Sequence, residues 1–148
     1  QLIENLVALF KPTFYKLNHI KSRLDLDKKM PEIKTDQNKV KQIITNLLRN
    51  AAEAVAENGL ITIKTKARVF VGRKQYIEII IADNGPGIDN EMRKRLFEAF
   101  FTTKEKGVGL GLSICKSIAT AHGDTLHYSR PREGGSRFTL SLPLEAIG

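Results

Sequence analysis

Apolar positions recur along this chain in two rhythms, and the changes between them mark out its elements. Leu2, Leu6, Leu9, Phe10, Phe14 and Leu17 fall three and four residues apart, which predicts an amphipathic helix over 2–17 that Pro12 must kink or interrupt. From 19 to 26 the period shortens to two, with Ile20, Ser22, Leu24 and Leu26 alternating with charged neighbours as in a half-buried strand. Ile33 to Thr35 has the makings of one more short strand, and Asp36 stands where the N-cap of a helix belongs. That helix, 37–56, carries Val40, Ile43, Ile44, Leu47, Leu48, Ala51, Ala54 and Val55 on one face, and Asn58-Gly59 stops it in the manner of a left-handed cap. Two strands at 60–70 and 75–83, joined by Val71-Gly72-Arg73-Lys74, should pair as an antiparallel hairpin. A short helix is expected from Asp89 to about Phe97, then a longer one from Leu110 to Ala121 closed by His122-Gly123, then strands at 125–129 and 136–142. Hairpins in place of regular βαβ alternation predict an α+β fold: a two-layer α/β sandwich, its mixed, mostly antiparallel sheet covered by helices on one face.

Composition narrows the classes. The 148 residues suffice for one domain, and 41% hydrophobic content is enough for a core. No apolar run of about 18 residues exists, so a spanning helix is not expected. Cys115, the one cysteine, cannot form an internal disulfide, and with three scattered histidines it cannot build a Cys/His zinc site, so a reducing, cytoplasmic setting is expected. The chain opens on Gln1 in the middle of an apolar pattern, as expected of a piece cut from something longer. A net charge of +8 invites a nucleic-acid reading. However, Lys64, Lys66, Arg68, Arg73 and Lys74 all fall on the central hairpin, where a solvated face is the ordinary explanation.

Three constellations carry candidate chemistry. Five of the eleven glycines lie in two clusters, Asp83-Asn84-Gly85-Pro86-Gly87 and Gly107-Val108-Gly109-Leu110-Gly111. Glycines just ahead of a helix let backbone N–H groups approach an anion at the positive end of the helix dipole, so Gly107 to Gly111 reads as a phosphate cradle, against the plainer reading of a tight turn. Neither a Walker loop nor the dinucleotide fingerprint is present. On the long helix, Asn46, Arg49, Asn50 and Glu53 line one polar ridge. Asparagine is a poor helix former, and two amide oxygens one turn apart can share a hard cation with phosphates and water; a solvated stripe is the alternative. Asp83 ends an apolar strand before a flexible turn, which places its carboxylate at the sheet edge, able to accept from an exocyclic amine or merely to begin an Asx-turn.

Taken together, Asn46-Leu47-Leu48-Arg49-Asn50-Ala51, Asp83-Asn84-Gly85-Pro86-Gly87-Ile88, Leu96-Phe97-Glu98-Ala99-Phe100-Phe101 and Gly107-Val108-Gly109-Leu110-Gly111-Leu112 resemble the N, G1, F and G2 boxes of bacterial sensor histidine kinases. Gly135-Ser136-Arg137-Phe138 through Leu142-Pro143 is similar to that family's last strand, and Phe-Phe-Thr-Thr-Lys suggests its nitrogen-regulation branch. The resemblance spans 32–143 and implies the Bergerat ATP-binding fold, with ATP and Mg2+ as ligands. Carried over, it makes Asn50 the principal magnesium ligand with Asn46 beside it, and Asp83 the reader of the adenine amine, helped by Ser136. Gly85 and Gly87 would admit the base. Residues 98–108 would form a lid in which Lys104 offsets the γ-phosphate, with Lys106 and Arg49 flanking the site and Phe97, Phe100 and Phe101 anchoring the lid. Gly107, Gly109, Leu110 and Gly111 would meet the phosphates.

ATP-hydrolysing relatives carry a glutamate one turn before the magnesium asparagine. Asn46 stands there instead, so water attack should be slow and the γ-phosphoryl group reserved for another acceptor. Family acceptor histidines are followed directly by Glu or Asp, which His19, His122 and His127 are not, so the acceptor is expected on another domain. The implied organisation is the end of a dimerisation and histidine-bearing region over 1–17, then an ATP-binding domain over 18–148. The implied partners are that histidine phosphotransfer domain and a cognate response regulator, with no nucleic acid. The parent would be a homodimer, soluble or membrane-anchored, and this piece a monomer. Rival readings are a serine kinase of the anti-sigma type, a basic nucleic-acid-binding module, and a nucleotide sensor without catalysis.

Overall fold

The computed structural model describes residues 21–27, 36–55, 59–98, 111–121 and 123–143. The expected helix over 2–17, the strand at 33–35 and the segment from 99 to 110 lie outside the described residues. In chain order the elements are β1 (Lys21–Asp25), α1 (Gln37–Val55), β2 (Leu60–Val71), β3 (Lys74–Asp83), α2 (Asn90–Arg93), α3 (Gly111–Ala121), β4 (Thr125–Ser129) and β5 (Ser136–Pro143). Among the described residues the sheet has five strands in the order β1-β2-β3-β5-β4. β1 runs parallel to β2, and the other pairs are antiparallel, giving the expected mixed sheet.

Local chemistry accounts for most boundaries. Asp36 caps α1: its Oδ1 accepts from the backbone N–H groups of Asn38 (3.1 Å) and Lys39 (3.3 Å), two donors that a helix start leaves unpaired. Asp89 does the same for α2, accepting from the Met92 N–H at 2.9 Å. This helix stops at Arg93, short of the expected Phe97, and turns carry the chain on to Phe97. Gly123, at φ +74°, closes α3 with the paired bonds Asp124 N–H to Ala119 O (2.8 Å) and Gly123 N–H to Thr120 O (3.2 Å), a Schellman cap. Gly59 is not the left-handed residue expected at the end of α1. It is small because an added Cβ would overlap the Val55 side chain.

The core lies between the inward face of the sheet and α1 with α3. Ile43, Ile44, Leu47 and Leu48 of α1 meet Ile61, Ile63, Ile77, Ile81, Leu126 and Leu140, all essentially inaccessible, each such side chain stabilising by about 1.5–3 kcal/mol. Ala52 is fully buried while Ala54, assigned to the apolar face from spacing, is exposed. Ala52 stands one turn from both Leu48 and Val55, whereas Ala54 continues the line of Asn46 and Asn50. Leu24, on edge strand β1, remains 42% exposed, so the half-buried reading holds for Leu26 but not for Leu24. Asp27 anchors this edge: its N–H donates to Thr65 Oγ1 (2.8 Å) and its Oδ2 accepts from the Ala67 N–H (3.1 Å), beside the irregularity in β2 between Lys66 and Val69.

Candidate functional site

The site is organised at the end of β3. Asp83 is opposite Ile61 on one side and Ser136 on the other. Its carboxylate therefore sits at the end of the central strand rather than at the sheet edge, where strand termini and not side strands meet the helix layer. Asp83 is 8% exposed. Burial pushes its pKa up, an effect opposed by N–H bonds from Gly85 and Ser136. The Gly85 bond, 2.9 Å to Oδ1, is the Asx-turn that was the plainer reading of Asp83, and here it orients the carboxylate. Asn84 pins the same turn to β2, accepting from the Leu60 N–H at 2.8 Å and donating its own N–H to Leu60 O at 3.2 Å.

Close approach explains the glycines of this turn. An added Cβ at Gly85 would stand 2.9 Å from Ala54 O, so the turn packs against the last turn of α1. At Gly87, φ is +77° and a Cβ would come 2.8 Å from Gly135 O. At Gly135, φ is +86° and a Cβ would overlap Asp83 O. Three segments distant in sequence thus cross at backbone distance around one buried carboxylate.

The polar ridge of α1 leads into this crossing. Asn46, Asn50 and Ala54 are successive i, i+4 positions, so Asn50 stands about 6 Å along the axis from the residue that abuts Gly85. Both asparagines are half-buried, while Arg49 and Glu53 are exposed. Asn46 is tied to α3 by a side-chain hydrogen bond to Cys115, whose thiol burial raises to about 11. Cys115 is a core residue, its Sγ 3.9 Å from Ile43 O.

Gly111 opens α3 in an exposed position, with nothing within 4 Å of an added Cβ. Lys104, Gly107, Gly109, Leu110, Phe100 and Phe101 lie outside the described residues. Phe97 is half-buried and meets Phe138 edge to face at 6.5 Å, with Lys116 Nζ over its ring at 5.2 Å. His127 is an exposed side chain of β4. No group of three or more His, Cys, Asp or Glu able to hold a metal occurs among the described residues. The hard donors on the ridge of α1 are the Asn46 and Asn50 amides and the Glu53 carboxylate, a set that fits magnesium arriving with phosphates and water rather than an ion caged by protein.

Sequence reasoning missed Tyr128. It occupies the inward phase of β4, opposite Phe138, where it looks like core. Its hydroxyl accepts from the Ile88 N–H at 3.0 Å and lies 3.2 Å from Ser136 Oγ. The available signal was a phenol among aliphatic inward positions, since a half-buried Tyr oxygen requires a partner.

Residues 35–146 match the family model described as histidine kinase-, DNA gyrase B-, and HSP90-like ATPase. Sporulation kinase D of Bacillus subtilis (strain 168) is 37% identical over 114 residues, covering 77% of this chain and 22% of that protein. The chain thus spans under a quarter of the length of this curated relative. Among solved structures, the nucleotide-free catalytic domain of histidine kinase ThkA superposes with a TM-score of 0.83 at 32% identity, covering 96% of this chain and 90% of that one. ThkA in complex with the response regulator protein TrrA gives 0.79 at 30% identity, over 97% and 40%. No described helix is long and apolar enough to cross a membrane.

Proposed function

The chain belongs to the family of histidine kinase-, DNA gyrase B- and HSP90-like ATPases, and from that premise we propose that it is the ATP-binding catalytic domain of a sensor histidine kinase. It transfers the γ-phosphoryl group of magnesium-bound ATP to a histidine on a separate domain of its parent, for relay to a response regulator. The observation that carries this reading is the buried Asp83 carboxylate. A carboxylate nearly closed to water is costly unless its lone pairs are used. Gly85 and Ser136 each supply one N–H to it, and an acceptor so oriented suits the exocyclic amine of adenine. The relatives are named as sensor or sporulation kinases, and the ThkA complex pairs a similar domain with a response regulator.

Within this reading Asp83 selects the base, Ser136 assists, and Gly85 and Gly87 allow the backbone close to it. Asn50 is the principal magnesium ligand and Asn46, held by Cys115, completes the amide pair. Lys104, Gly107, Gly109, Leu110 and Gly111 are assigned to the phosphates by the family motif. Magnesium, when bound, offsets phosphate charge and fixes phosphate geometry. With Asn46 where a glutamate base would stand, the domain orients the nucleotide without activating water, and neutral imidazole is already a competent nucleophile.

Calorimetry with ADP and ATP, with and without Mg2+, tests the site. Asn50→Ala should abolish the magnesium-dependent part of the affinity, and unchanged binding removes Asn50 from that role. Incubation with ATP and a supplied histidine domain should yield an acid-labile phosphoprotein. An acid-stable product assigns the chain to serine kinases instead.

A further inference from the structure

We propose that Tyr128 is a positioning residue for nucleobase recognition: its phenol oxygen joins the Asp83–Ile88 turn to the start of β5 and aims the Ser136 hydroxyl toward the carboxylate. This rests on the reading of Asp83 as the base-selecting group. Tyr128, Ser136 and Asp83 form a row across the ends of β4, β5 and β3, on the sheet face that meets the helices. Ser136 is 5% exposed, donates its backbone N–H to Asp83 and meets the phenol with its side chain.

Two hydroxyls, each able to donate and accept, connect the turn to β5. A phenol has one proton and two lone pairs. One lone pair receives the Ile88 N–H at 3.0 Å, and Ser136 Oγ lies 3.2 Å away, a contact in which either hydroxyl can donate and in which we assign the proton to the phenol. Ser136, once it accepts there, keeps its own proton for an acceptor other than Tyr128, and Asp83 is its partner across β3 and β5. A single oxygen then touches both the turn after Gly87 and the first residue of β5. The ring that carries it is held independently, edge to face on Phe138 at 5.2 Å and beneath the Arg93 guanidinium at 5.3 Å. This separation of ring from hydroxyl makes the inference testable, because Tyr128→Phe keeps the ring contacts and removes only the oxygen.

The assay is calorimetry of the 148-residue chain with ADP and with purine riboside 5′-diphosphate, which lacks the exocyclic amine. For Tyr128→Phe the preference for ADP over the analogue should fall about three- to tenfold, the worth of one net hydrogen bond. A purely structural role weakens both ligands alike, so an unchanged preference overturns the proposal whatever happens to overall affinity. Amide exchange on the unliganded wild type is a second, variant-free check. Protection of the Ile88 N–H supports the bond, and exchange at the rate of an open amide overturns it. Asp83→Asn separates the two levels of inference. If it too leaves the preference intact, the base-selecting reading fails and Tyr128 with it; if it erases the preference while Tyr128→Phe does not, only the role of Tyr128 fails.

Discussion

Gly134 and Gly135 are adjacent and both have positive φ, +96° and +86°, yet they should respond very differently to alanine. Nothing lies within 4 Å of a Cβ added at Gly134, so Gly134→Ala bears only the conformational cost of a side chain in that region, about 1–2 kcal/mol. At Gly135 the same Cβ overlaps the Asp83 carbonyl oxygen and comes 3.0 Å from its carbon and 3.2 Å from Asn84 Cα. These are backbone atoms that cannot rotate aside, which adds an overpacking cost of about 1–3 kcal/mol. Gly135→Ala should therefore destabilise by about 2–5 kcal/mol, and for a chain of this size each kcal/mol lowers Tm by roughly 3–5 °C. Urea unfolding of the two variants against wild type, with equal m-values, measures the difference. The consequence for function is separable. The clash pushes the start of β5 away from Asp83 and withdraws the Ser136 N–H from its carboxylate, so ADP affinity should fall for Gly135→Ala at a temperature where it is still folded. Equal destabilisation of the two variants, or wild-type ADP binding by folded Gly135→Ala, would refute the reasoning.

Asp83→Asn should show a pH-dependent stability difference. Burial raises the folded pKa above the unfolded one, so the stability linked to its proton is fully present below the unfolded value and lost as pH rises through the folded one. The variant does not titrate, so its unfolding free energy relative to wild type should climb with pH across that window and be flat outside it; a difference that stays constant or falls sinks the assignment of burial as the dominant cause. Cys115, with no exposed surface and a thiol pushed up to about 11, should resist a thiol reagent at pH 8 and react fully once the chain unfolds. Rapid stoichiometric labelling of the native protein is the contrary result.

Features set by neighbours in sequence are legible from the sequence alone. Asp36 and Gly123 mark their helix ends because a capping carboxylate and a left-handed glycine act within four residues. The β2–β3 hairpin was legible because Val71 pairs with Lys74 around the two residues Gly72-Arg73, Gly72 having φ +63°. The parallel pairing of β1 with β2 was not, since Lys21 meets Leu60 across a separation that periodicity does not encode. Ala52 and Ala54 were confused for a milder reason: alanine is compatible with either face of a helix, and its face follows from its neighbours one turn away, Leu48 and Val55 for Ala52 and Asn50 for Ala54.

The site divides along the same line. Asp83, the two asparagines and the glycine clusters were singled out because their residue types are unusual for their positions: a carboxylate closing an apolar strand, amides on a helix, glycines in series; Ser136 came only from the family resemblance. Tyr128 offers a fainter anomaly, one phenol oxygen on a ring that, opposite Phe138, satisfies the core pattern. Its function lies in an oxygen that meets Ile88, 40 residues earlier, and Ser136, eight residues later, and both meetings depend on strand order and register. Gly135 is similar, for its turn-like sequence does not reveal that the Asp83 carbonyl occupies the space of a side chain. The groups that would touch a ligand carry a chemical signature in the sequence, while those that hold them in place must also satisfy the core, and that second duty conceals the first.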